Sequence, residues 1–272
     1  MAHAATRNSP RKESPARASH VLRSSPRLAF DPRKLKTPLA LWVRSDLGAT
    51  MNGSTVSKWV DMSGNDRDLS QSTAADQPSL NSAGVGGRPD LSFDGSSDVL
   101  PGSSFYGMLS AADEWSIAVV CAGWSWGATI GATWGTAHGR AVLGAPNNSG
   151  SYFSLVIGNS SQGPTSGFYP SGASAPAIAT PPSAGSQGED LIWLAINDGD
   201  LVTRINGKKG TSVTSGDVNS LATTLAVGHG TSQTTFWDGS ISEVLIFDGT
   251  LGASEVSALE SYLSDRYKIG AD

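Results

Sequence analysis

Cysteine occurs once in 272 residues, at Cys121. That excludes an internal disulfide framework and any cysteine-based zinc site. Charged residues make up only 16% of the chain, so the surface must be built largely from Ser, Thr, Gly and Asn. No apolar run reaches the length of a membrane-spanning helix. The opening MAHAATRNSPRKESP lacks an apolar signal-peptide core, and no secretion signal is expected. Glutamate is scarce: Glu13, Glu114, Glu189, Glu243, Glu255 and Glu260. No two of them fall two or four apart on one strand, so the close carboxylate pair of a retaining glycanase is missing. Asp66/Asp68 and Asp94/Asp98 have such spacing, but in Ser/Gly/Asn contexts that read as turns. One G-x-S-x-G occurs, Gly123–Gly127, yet the residues after it have no helical pattern, which a nucleophile elbow requires. No P-loop and no His/Cys metal spacing is present. These absences predict a protein that is not an enzyme.

What is present is unevenly distributed. Residues 1–36 hold nine Lys/Arg against Glu13 and Asp31, a net of +7; the remainder is net −12 in a chain of −5. The segment 1–37 therefore reads as a basic extended arm, and 38–272 as an acidic body. The arm is rich in Ser, Pro and Ala, with three Ser-Pro pairs that favour extended backbone. Alone it cannot bury enough surface to offset its chain entropy. Ser9–Lys12, Ser-Pro-Arg-Lys, resembles basic elements that lie in DNA minor grooves. The acidic body would be repelled by a duplex, so nucleic acid is not the expected partner. A protein lattice is, with Arg23, Arg27, Arg33 and Lys34 as the anchoring residues.

From Leu39 onward, short β-branched and aromatic segments alternate with turn residues. Strands are predicted at 39–44, 56–60, 90–94, 115–121, 141–144, 152–157, 190–197, 201–206, 223–228 and 240–247. Asn206-Gly207 supplies the two positive-φ positions of a tight hairpin turn. Residues 158–189 read as long loops with at most a short strand near Phe168. One helix is predicted, capped by Ser254, with an apolar stripe Val256, Leu259 and Leu263 and a stop at Gly270.

Three segments carry a family resemblance: Trp59–Asn65 (WVDMSGN), Gly87–Gly95 (GRPDLSFDG) and the ending Asp238-Gly239…Glu243…Tyr262-Leu263. With the Val202–Lys208 hairpin they resemble the concanavalin A-like, laminin-G-like jelly-roll domains of bacteria and phages, over about residues 38–269. The resemblance implies an all-β sandwich of two antiparallel sheets, with one C-terminal helix against an edge or loop. Together with the arm, it implies a non-enzymatic virion structural protein. The chain would be a capsid decoration or head-fibre component, a homo-oligomer held to the major capsid protein or another virion protein by its arm. The alternative is a carbohydrate-binding or adhesion module on a tail or fibre, with a surface glycan as partner.

Two sets of body residues are candidates for binding. Trp124, Trp126 and Trp134 lie close together in a Gly/Thr-rich stretch and are candidates for a partner interface or glycan contact. Trp42, Trp59, Trp115 and Trp193 lie in apolar strands and are expected in the core. Asp61, Asn65, Asp66, Asp68, Asp94 and Asp98 have the oxygen-rich composition of calcium loops. The same residues could instead hold turns through side-chain-to-backbone bonds. No other cofactor is expected.

Overall fold

The computed structural model describes residues 1, 30–110, 114–125, 140–144, 152–157, 164–169, 177–181, 186–214, 224–230 and 236–270. Met1–Phe30 and Asp31–Asp272 are separate units. Arg23 and Arg27 lie outside the described residues.

The second unit is a β-sandwich. Its strands are β1 (Leu39–Arg44), β2 (Ala49–Asn52), β3 (Thr55–Trp59), β4 (Leu69–Ser70), β5 (Ser79–Asn81), β6 (Asp90–Asp94), β7 (Leu100–Ser104) and β8 (Glu114–Ala122). They continue with β9 (Arg140–Gly144), β10 (Tyr152–Ile157), β11 (Pro164–Tyr169), β12 (Ala177–Ala179), β13 (Leu191–Asp198), β14 (Asp200–Ile205), β15 (Lys208–Thr214), β16 (Thr224–Val227) and β17 (Asp238–Asp248). The larger sheet runs β15-β14-β13-β8-β17-β6-β5-β3-β2, with β1 also on β17 and β4 on β3; the smaller runs β12-β11-β10-β9-β16-β7. Among the described residues every pairing is antiparallel.

Alternation along the strands sorts side chains between the two faces. Ile117, Val119 and Cys121 of β8, Trp193 and Ala195 of β13, and Val244 and Ile246 of β17 enter the core between the sheets. Leu245 and Phe247 alternate to the outer face of the larger sheet and are also fully buried. Among the described residues two α-helices accompany the strands, the single turn α1 (Ser45–Gly48) and α2 (Ala253–Tyr267); α2 covers these side chains by lying across that face, burying Val256, Leu259, Leu263 and Tyr267. The helix thus packs on the face of the sheet, not on an edge or loop as the family resemblance implies. Its cap also differs from expectation. Gly252 occupies the cap position, the Glu255 carboxylate accepts its N–H at 3.0 Å, and Ser254 sits inside the first turn. Lys268, at φ 56°, ends the helix two residues before Gly270.

All ten predicted strands are present within about two residues of their expected ends. The hairpin turn has Asn206 at φ 49° and Gly207 at φ 81°, both positive as its chemistry requires. Strands β2, β5, β7, β11 and β12 go beyond the sequence expectation; they are recruited by pairing to neighbouring strands, which leaves no strong local pattern.

Candidate functional site

The two candidate calcium loops are occupied by the chain's own donors. The Asp61 carboxylate, buried beneath β1, accepts the N–H groups of Trp42 (3.0 Å), Ser63 (2.8 Å) and Arg67 (3.1 Å) and the Ser63 hydroxyl (2.8 Å). Asp68 accepts the Asp61 N–H and pairs with Lys58. Asn65 turns its Nδ2 toward the carbonyls of Leu39 and Ala40, and Arg67 donates to the same Ala40 oxygen. Asp66 carries the left-handed backbone of the turn, at φ 55°. In the second loop, Asp94 accepts the N–H groups of Ser96, Ser97 and Asp98. Asp98 accepts the Asp94 N–H. Burial opposes ionisation of Asp94, but these donors hold its carboxyl well below the usual range. Burial and the Asp94 charge push Asp98 up to about 6. The geometry is that of self-satisfied turns, and no group of three or more His, Cys, Asp or Glu among the described residues is placed to hold a metal ion.

The tryptophans divide. Trp59, Trp115 and Trp193 are in the core, and Trp42 is buried on the outer face. Trp124 is only 1% exposed and donates its Nε1 proton to the Glu189 carbonyl at 2.8 Å. It is therefore a packing residue, not an open interface or glycan platform, because the ring folds back under the end of the sandwich. Trp126 and Trp134 lie outside the described residues. The residues flanking that segment meet at Asp238, the first residue of β17. Ser125 donates its hydroxyl to Asp238 at 2.6 Å, and Arg140 reaches the same oxygen at 3.4 Å.

Beneath α2 lies a fully buried carboxylate, Glu243 of β17. It accepts the indole proton of Trp42 (2.7 Å) and the hydroxyls of Tyr262 (3.1 Å) and Tyr267 (2.7 Å), with Arg266 at 3.5 Å. Burial raises its pKa, opposed by the Tyr267 and Trp42 bonds and by Arg44 and Arg266. The cluster continues outward through Asp46, which binds both Arg44 (3.0 Å) and Arg266 (2.6 Å). No solvent reaches the Glu243 carboxylate, so it serves to fasten helix to sheet.

A groove beside this helix has the attributes of a binding site. It lies between the outer face of β13–β15 and the N-terminal half of α2, with a volume of about 450 Å³, within the usual range for small-molecule sites. Ile196, Val202, Leu251 and Val256 supply apolar walls. Arg204 and Glu260 cross it as a bidentate pair at 2.8 and 2.9 Å. Asp198 and Lys209 stand at its rim. The Glu260 carboxylate holds the Arg204 guanidinium above its ordinary pKa, and Arg204 also donates to the Gly207 carbonyl at 2.8 Å. Sequence reading did not single out these four residues. Alternation in β14 places Arg204 outward between inward Thr203 and Ile205, a signal that was available. Its partner lies 56 residues away, on an element whose seat only the fold sets.

Of the arm residues named from sequence, Arg33 and Lys34 belong to a short 3-10 turn, Pro32–Lys34. Arg33 pairs with Asp31 at 2.9 Å and lies over the Trp42 ring, 5.7 Å from its centroid.

No protein-family model matches the sequence, and no curated protein matches it. The fold does match solved structures. One is domain 4 of AbnA, a GH43 extracellular arabinanase from Geobacillus stearothermophilus, in complex with arabinotriose; identity is 14%, the TM-score 0.57, and 82% of this chain covers 98% of that one. The binding domain of Paraclostridial Mosquitocidal Protein 1 matches at 13% identity and TM-score 0.57, over 83% of this chain and 52% of that one. The binding domain of botulinum neurotoxin serotype D matches at 14% and 0.53, over 82% and 50%. The chain thus spans nearly all of the arabinanase domain and about half of each toxin binding domain. At such identities the shared property is the fold, a jelly-roll-type β-sandwich.

Proposed function

We propose that this chain is a carbohydrate-binding β-sandwich module without catalytic activity of its own. The observation that carries the reading is the match over nearly the whole of an arabinanase domain whose structure holds arabinotriose. The groove beside α2 supports it, since it combines apolar walls with fixed hydrogen-bonding groups. The carboxylates support the non-enzymatic part. Asp94 and Asp98 are engaged in a turn, Glu243 is sealed beneath the helix, and Glu260 is paired with Arg204. The test is a glycan array with the full chain, followed by calorimetry and an assay for released reducing ends. Saturable binding without hydrolysis is expected. No binding on the array, or release of reducing ends, overturns the reading.

A second reading, a capsid- or tail-attached virion component, is favoured by one observation: the +7 arm joined to a −12 body. The two are compatible, because an arm-anchored protein can present a glycan-binding body. Decoration of particles by the full chain, reduced when Arg23, Arg27, Arg33 and Lys34 are all replaced by Ser, is its expected signature. Wild-type occupancy of the substituted protein would remove the arm from that role.

A further inference from the structure

We infer that the groove between β13–β15 and α2 is the binding site, and that its ligand is a neutral oligosaccharide rather than an acidic one. The inference rests on the carbohydrate-binding reading above and names the site and ligand class for it.

Charge is the first element. Arg204 and Glu260 neutralise each other through two short bonds. Lys209 and Asp198 add one positive and one negative charge at the rim. The groove is therefore close to neutral in sum while holding strong donors and acceptors side by side. A sugar hydroxyl both donates and accepts. Neighbouring hydroxyls can give a proton to a carboxylate and take one from a guanidinium or ammonium, and such charge-assisted bonds are the stronger kind. An acidic sugar fits poorly. Its carboxylate would have to share Arg204 with Glu260, bringing two like charges together in a partly buried place.

Rigidity is the second element. Arg204 is held by Glu260 and by the Gly207 carbonyl, and its side chain is only 20% exposed. A donor already fixed by its partners loses little freedom when ligand arrives. The third element is shape. Ile196 and Val202 from the sheet face Leu251 and Val256 across the groove, so the apolar C–H face of a sugar ring has a wall to rest on. The charged pair and the apolar walls are different side chains, and none of them belongs to the self-satisfied turns or the sealed Glu243 cluster.

The experiment uses the full chain with arabinotriose, maltotriose and cellotriose as neutral probes and 3′-sialyllactose as the acidic one. Calorimetry gives affinity, and methyl NMR on the unsubstituted protein gives location without any variant. At least one neutral probe should bind, moving the methyl signals of Ile196, Val202, Leu251 and Val256. Ser257→Trp, at an exposed helix position that lines the groove, should fill it and lower affinity at least ~10-fold. Lys209→Ala, on an exposed strand position, should lower it by roughly 3–10-fold, the range for losing one ordinary hydrogen bond at a solvated rim. Arg140→Ala, in the separate Asp238 cluster, should bind as wild type. If a neutral probe binds but those methyls stay still and Ser257→Trp is unaffected, the groove assignment is wrong and the module reading stands. Preference for 3′-sialyllactose would overturn the ligand class. If no neutral probe binds, this inference fails; the carbohydrate reading fails with it only if the glycan array is blank as well.

Discussion

Asp94 and Asp98 hold each other across a five-residue turn: the Asp94 N–H donates to the Asp98 carboxylate at 3.0 Å, and the Asp98 N–H donates to the Asp94 carboxylate at 3.1 Å. The exchange closes the turn between β6 and β7 but places two acids side by side. Asp94 has the serine donors and keeps its charge; Asp98, nearly buried, gives way and titrates near 6.

A pH dependence of stability follows. The native Asp98 carboxyl binds its proton more tightly than the unfolded chain, whose value is near 3.8. Between about pH 4 and pH 6 the folded state holds the extra proton, so this group's contribution falls as pH rises through that window. The loss amounts to roughly 2–3 kcal/mol above pH 6. Asp98→Asn keeps an acceptor for the Asp94 N–H and removes the charge. It should melt like wild type at pH 4 and higher than wild type at pH 7.5, by calorimetry at both values. Equal melting temperatures at pH 7.5 would show that Asp98 ionises without strain.

Glu243→Ala should be severe. It strips the acceptor from Trp42, Tyr262 and Tyr267 at once and leaves Arg266 facing a void. A loss of about 3–5 kcal/mol is expected from breaking a buried charged cluster. Glu243→Gln keeps one acceptor and the volume, and should cost less than half as much. Urea unfolding of the two variants checks both losses; a purely steric role would leave the isosteric Glu243→Gln at wild-type stability.

Asp61→Ala tests the loop beneath β1. Four donors lose their acceptor, and destabilisation of about 2–3 kcal/mol is expected. Since the carboxylate already serves those donors, EDTA and added calcium should leave the wild-type melting temperature unchanged. A drop with EDTA that calcium reverses would instead assign the loop to a metal.

Truncation separates the arm's parts. Removing residues 1–29 should leave the cooperative melt of the body intact, because the core formed by the described residues lies within the unit Asp31–Asp272. Removing 1–37 should lower it. Thr37 donates its N–H and its hydroxyl to Glu255, both at 2.9 Å, and Arg33 covers Trp42. The expected difference is about 1–2 kcal/mol, read as the gap between the two melting temperatures.

Local chemistry alone settles a good deal of this molecule. The apolar runs at 115–121, 190–197 and 240–247 can bury themselves only as central strands, and they do. Asn206-Gly207 makes its turn whatever surrounds it, because few residues tolerate positive φ. The apolar stripe Val256, Leu259 and Leu263 makes one face of a helix from spacing alone. None of these says which residues meet. Trp124 reads as exposed from its glycine neighbours, yet it is buried, because the Glu189 carbonyl and the end of β17 close over it. Glu243 sits in an apolar strand where a charge looks misplaced, and it is tolerated because α2, twenty residues later, brings two tyrosines and an arginine onto it. The groove is assembled from Ile196 through Glu260. Hydrophobic periodicity acts over a few residues and is written along the chain. The pairing of Arg204 with Glu260 depends on where a sheet face and a helix come to rest, and that is a property of the packed fold.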